Sequence, residues 1–172
     1  MMRPDLRSAR TRRGATLVEF TLLGIPALLV CMSVVSGGID MWQFFTLSYA
    51  TAQTARFASL HGATCSANSN TCTITRAAVA TYFESQALAL STSSTVMRIT
   101  DGSGTVTCNP VTSCPSATSQ FPAASHNAVG SNITVSATYP LSNPIFMFWP
   151  GAGEVNPATF TVGATSTQEI LF

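Results

Sequence analysis

The run from residue 15 to residue 39, ATLVEFTLLGIPALLVCMSVVSGGI, is apolar apart from one carboxylate, Glu19. A stretch of this length and character leaves a chain few options. Its 25 residues, if helical, extend about 37 Å, enough to cross a hydrocarbon core of about 30 Å with some tilt. Immediately before it stand Arg3, Arg7, Arg10, Arg12 and Arg13, opposed by Asp5 alone. A basic arm by itself would suggest nucleic acid. Followed directly by an apolar run, it fits the positive-inside rule better, holding the amino terminus on the cytoplasmic side. A secretory signal peptide is the competing reading, but the apolar run is too long and no small-residue exit site stands beside it. The expectation is a basic cytoplasmic leader over 1–14, a transmembrane helix over 15–39 and a periplasmic domain over 40–172, with no nucleic-acid partner.

Glu19 sits about one turn inside that segment. A charge at the centre of a membrane helix costs about 2.5–3.5 kcal/mol, and less near the end, where the side chain can snorkel to the headgroups. A second explanation starts from the Gly14-Ala15 junction, where basic sequence gives way to apolar sequence. A cut there would free an α-amine at Ala15 and leave Glu19 as the fifth residue of the shortened chain. Amine and carboxylate from adjacent subunits would then neutralise each other within a bundle of helices. A lone glutamate is poorly placed in a monomer and well placed in a polymer.

The residues Arg12-Arg13-Gly14-Ala15-Thr16-Leu17-Val18-Glu19-Phe20 resemble the processing region of type IV pilin-like proteins. The nearer resemblance is to the TadE-like minor pilins, or pseudopilins, of tight-adherence (Flp) pilus systems. Val18-Glu19-Phe20 stands intact, Pro26 follows within the apolar run, and Asp40 matches the acid that closes the family's membrane helix. Ala52-Gln53-Thr54-Ala55-Arg56 and His61-Gly62-Ala63 are similar to its Ala-Ala-Arg-x-Gly-Ala stretch, with Thr21 standing where the family has alanine. Thr159-Phe160-Thr161-Val162 leading to Glu169 resembles its closing strand and late glutamate. The match is specific over 12–63 and loose beyond. The resemblance implies cleavage by a prepilin peptidase at Gly14-Ala15, and a role for Glu19 in assembly. Its partners would be other pilin or minor pilin subunits, an inner-membrane assembly platform with its motor ATPase, and the lipid bilayer. The location implied is the bacterial inner membrane, single-pass, reaching the pilus or cell surface after assembly. No cofactor is implied.

Pro26 bends a helix or lets it melt locally; Gly24 lets a neighbour approach; Cys31 reads as a small apolar residue. The helical pattern continues past Asp40, giving one long helix over 15–61, stopped by Gly62. Trp42, Phe45, Tyr49 and Leu60 share one arc of it, together with Arg56, and are expected to carry the core of the outer domain. Trp42 and Tyr49 also suit the membrane interface. A second helix is expected over 75–90, with Ala78, Val79, Tyr82, Phe83, Ala87 and Leu90 on one face. The runs TVMRIT and GTVTC flank Asp101-Gly102-Ser103-Gly104, a hairpin signal. NITVSATY (132–139) and TFTVGAT (159–165) alternate as half-buried strands do. The expected class is therefore α+β: one long N-terminal helix, membrane-spanning in its first half, then a second helix and a small antiparallel β-sheet. Residues 109–131 read as loop. The stretch NPIFMFWPG (143–151), bracketed by prolines, reads as a cover for the sheet or as a sticky contact loop.

Cys65, Cys72, Cys108 and Cys114 would face an oxidising periplasm. Of their three pairings, Cys65–Cys72 and Cys108–Cys114 are expected, because each closes a turn-rich loop. Zinc needs shorter and more regular spacing, so no metal site is expected. His61 and His126 read as surface or loop residues. No Ser/His/Asp set, ligand cluster or phosphate-cradling glycine loop stands at a usable spacing. No catalytic residue is assigned, and the chain is not expected to be an enzyme. Two readings remain: a processed, assembling subunit, or a single-pass protein displaying a periplasmic recognition domain without forming a fibre.

Overall fold

The computed structural model describes residues 8–63, 65, 74–114, 119–142 and 159–171. Helix α1 covers Ser8–Ser59, β1 Ile74–Thr75, α2 Arg76–Gln86, β2 Val96–Asp101, β3 Gly104–Cys108, β4 Gln120–Phe121, β5 Asn132–Ser142 and β6 Thr159–Glu169. A single 3-10 turn, Val111–Ser113, follows β3. The fold is α+β, as the patterning predicts. The chain divides between Ile39 and Asp40 into two compact units, considered separately below. Helix α1 starts earlier than the apolar run, taking in the end of the basic leader, and stops at Ser59 rather than residue 61. Residues 143–151 and Cys72 lie outside the described residues.

In the second unit, β3, β2, β5 and β6 form one antiparallel sheet in that order. Register puts Cys108, Met97, Ala137 and Ala164 in one cross-strand row, and Val106, Ile99, Val135 and Ser166 in the next. These rows lie on the inner face, where Met97, Ile99, Cys108, Ile133, Val135 and Ala137 are buried. Period-two alternation carries the opposite residues outward. Rows such as Thr105, Thr100, Thr134 and Thr167 line that outer face. Their hydroxyls pair across the strands, Thr100 with Thr105 at 2.9 Å and Thr134 with Thr167 at 2.8 Å.

Small residues are what α1 offers to this core. Leu47, Ala50, Thr51, Thr54, Ala55 and Ala58 recur at helical spacing and are all at most 1% exposed. The two threonines satisfy their hydroxyls within the helix, donating to Leu47 O and Ala50 O at 2.7 Å each. The aromatic arc expected to form the core is on the outside instead: Trp42 is 66% exposed, Phe45 and Tyr49 56%, Leu60 44%. Apart from Leu47, small side chains rather than large ones fill the buried face of α1.

Helix α2 is capped by Thr75, whose side-chain oxygen accepts the Ala78 N–H at 3.2 Å. It buries Val79, Ala80 and Phe83 and ends at Gln86, four residues short of the expected 90. Ala87 and Leu90 still reach the core, carried by a turn in which Leu90 N–H donates to Ala87 O at 3.0 Å. The Phe57 and Tyr82 rings stack at 4.3 Å and 8°, joining α1 to α2. His61 is buried, not superficial: it is 6% exposed. Its Nδ1 lies 2.7 Å from Phe57 O, and its ring 4.7 Å from the Phe57 ring. Residues 109–131 are not all loop either. They supply the 3-10 turn and β4, which pairs with β1 through Ile74–Phe121 and Thr75–Gln120. Both apolar members of that small sheet are buried.

Candidate functional site: the amino-terminal helix and an outer cleft

Within the first unit α1 has no apolar face to hide, because it is apolar all round. Leu17, Val18, Phe20, Leu22, Leu23, Ile25 and Leu28 are each at least 60% exposed. The most apolar window of this helix has none of its residues buried within the protein, which separates it from a core helix. Among the described residues it is the one helix long and apolar enough to cross a membrane. Its hydroxyls are compatible with lipid. Thr21 donates to Leu17 O or Val18 O at 3.1 and 3.0 Å, and Ser33 to Leu29 O at 2.7 Å. The helix runs on through Pro26, whose missing N–H leaves the Leu22 carbonyl without its usual partner.

Gly14 and Ala15 are placed in the helical backbone of α1. Glu19 follows one turn later, exposed on the apolar sleeve. Among the described residues its carboxylate has no hydrogen-bond or ion-pair partner. Asp40 is the first residue of the second unit and is half-buried. The processing and assembly residues of the sequence analysis thus fall on one continuous helix.

The expected disulfide Cys108–Cys114 is present, with its Cα atoms 4.3 Å apart. Cys65 is disulfide-bonded, and its expected partner Cys72 is outside the described residues. Cys31 is a free, exposed thiol on α1. Among the described residues no group of three His, Cys, Asp or Glu side chains could hold a metal ion.

A further feature was invisible in the sequence. The end of α1, the middle of α2 and the end of β6 enclose an open cleft of about 430 Å³. Gln53, Arg56, Tyr82 and Gln168 line it, beside Phe57, Leu60 and Leu171. These residues come from three elements far apart in the chain, and no local motif announces them. The cleft is braced where Leu171 N–H donates to Ser59 O at 3.1 Å.

Fold and helix together define an α+β protein whose amino-terminal helix is suited to a single membrane span. Comparison with family models, curated proteins and solved structures returns no match.

Proposed function

We propose that the chain is a minor pilin or pseudopilin of the TadE-like kind. In this reading a prepilin peptidase cuts between Gly14 and Ala15, and the shortened chain takes part in assembling a tight-adherence pilus for attachment or secretion. The observation that carries the reading is Glu19: a single unpartnered carboxylate on a helix exposed and apolar all round. Such a helix requires a cover, either lipid or other helices. Lipid covers the apolar side chains, and the carboxylate must then snorkel to the headgroups. A neighbouring subunit with a free amine at Ala15 covers both. The basic leader keeps the amino terminus cytoplasmic before processing, leaving 40–172 on the periplasmic side of a bacterial inner membrane.

Mass spectrometry of the amino terminus, on protein isolated from its native envelope, tests this directly. A chain beginning at Ala15 is expected. A chain retaining its arginine-rich leader would overturn the reading and leave a second one, a single-pass anchor displaying a periplasmic recognition domain. The lined cleft on the second unit is the feature that favours that alternative.

A further inference from the structure

Five polar residues line the cleft between α1, α2 and β6; Ser59 donates its hydroxyl to Arg56 O at 2.9 Å, which leaves the side chains of Gln53, Arg56, Tyr82 and Gln168. None of them has a hydrogen-bond or ion-pair partner among the described residues. Elsewhere in the second unit the outer threonines pair across strands and Thr51, Thr54 and Asp101 are satisfied, while Arg76 Nε is buried without a hydrogen-bond partner among the described residues. Together Gln53, Arg56, Tyr82 and Gln168 give one concavity several hydrogen-bonding groups that a ligand could engage. The volume of about 430 Å³ falls in the usual range for small ligands, roughly 300–1,000 Å³.

The side chains dictate the ligand. One guanidinium, with its planar fork, calls for one carboxylate or a similar planar anion. Two primary amides and a phenol each donate and accept, which suits a ligand dense in hydroxyls. The stacked Phe57–Tyr82 pair supplies an apolar wall against which a saturated ring can lie. A phosphodiester chain would need several cations, and among the described residues Arg56 is the only one in the lining. An acidic amino acid brings the charge but not the hydroxyls. We propose that this cleft binds a sugar carrying a single carboxylate, with Arg56 holding the carboxylate and Gln53, Tyr82 and Gln168 the ring hydroxyls. The proposal does not depend on fibre assembly; it needs only that the second unit lie outside the cytoplasm.

The test uses the full chain in lipid nanodiscs, with binding read by saturation-transfer NMR and calorimetry. Four probes are compared: galacturonate, N-acetylmuramic acid, neutral galactose and N-acetylglutamate. Binding of either acidic sugar over the neutral one is expected. Which of the two binds shows whether the source is an extracellular polysaccharide or a cell-wall glycan. Arg56→Gln should weaken binding at least tenfold, the scale of a lost charge-assisted bond. Tyr82→Phe, which keeps the ring stack, should weaken it a few-fold. Arg98→Gln, on the exposed outer face of the sheet, should change nothing. Arg56 is itself exposed, and unchanged unfolding midpoints of the variants verify that the fold survives. The proposal is overturned if no acidic sugar binds at millimolar concentration, or if the neutral sugar or N-acetylglutamate binds as tightly. It is equally overturned if Arg56→Gln binds like the parent.

Discussion

The Asp101 carboxylate accepts a hydrogen bond at 2.9 Å from the backbone N–H of Ala123, 22 residues further along the chain. Its other oxygen accepts the Ser103 N–H at 2.9 Å and the Ser103 hydroxyl. One side chain therefore closes the β2–β3 hairpin and ties it to the segment after β4. Burial pushes the Asp101 pKa up. The Ser103 hydroxyl, the Ala123 and Ser103 amides and the Arg76 charge outweigh that and hold it below the ordinary value.

A pH dependence follows from that sign. A carboxyl whose pKa is depressed by folding stabilises the protein fully above its unfolded value, 3.8 for aspartate. That contribution is lost as pH falls through the lower folded value. At pH 7, Asp101→Asn should cost about 1.5–3 kcal/mol, the worth of hydrogen bonds to a charged group. Between neutral pH and about pH 3 the parent should lose more stability than the variant. Thermal unfolding across that range measures both, and parallel curves for the two proteins would contradict the assignment.

The same hairpin contains a position where a side chain would displace His126. A Cβ on Gly102 would lie 2.3 Å from Cδ2 of His126 and 2.9 Å from its Cγ. Either the imidazole must move, giving up its 2.8 Å contact with the Ser125 hydroxyl, or the turn must. Gly102→Ala should destabilise by about 1–3 kcal/mol, as overpacking does. Adding His126→Ala should recover most of the loss. A double variant no more stable than Gly102→Ala alone would place the strain elsewhere.

The packing of α1 gives a contrast between two neighbouring turns. Ala55 is fully buried, whereas Tyr49 is 56% exposed. Ala55→Leu should therefore cost about 1–3 kcal/mol by forcing helix and sheet apart. Tyr49→Ala should fall within about 0.5 kcal/mol of the parent, as surface changes do. Chemical denaturation of both variants reads the difference. The opposite ranking would restore the aromatic arc as the core.

That contrast also explains what the sequence could and could not reveal. The helix suited to a membrane span is legible because its apolar character runs over 15–39, and nothing else in the chain imitates that stretch. The hairpin at Asp101-Gly102-Ser103-Gly104 and the alternation of Ile133, Val135 and Ala137 are legible because turn chemistry and strand period are local. The inner face of α1 is not legible, because large apolar residues dominate any count of periodicity. The sheet instead receives alanines and two threonines whose hydroxyls turn back on their own helix. His61 lies in the bend after α1, and its burial is not legible because its partner is the Phe57 carbonyl one turn away, which no residue pattern displays. The β1–β4 pairing spans two residues per strand, too short for any period. Arg56 and Gln168 meet at one cleft only through the tertiary fold.

Glu19 offers the sharpest test of the assembling reading, because cleavage and assembly can be scored separately. Glu19→Ala removes the carboxylate without touching the Gly14-Ala15 junction, so processing should continue and the mature chain should still begin at Ala15. Assembly should fail, since losing one member of a buried pair costs about 3–5 kcal/mol per subunit contact. Glu19→Gln keeps the shape and a hydrogen-bonding head but not the charge. If the amine requires a negative partner rather than a polar one, it should assemble no better than the alanine variant. Sheared surface fractions compared with the membrane fraction report assembly, and amino-terminal mass reports processing. Fibres at parental abundance from Glu19→Ala would show that the carboxylate has no partner subunit. A block in cleavage would instead move its role to recognition by the peptidase.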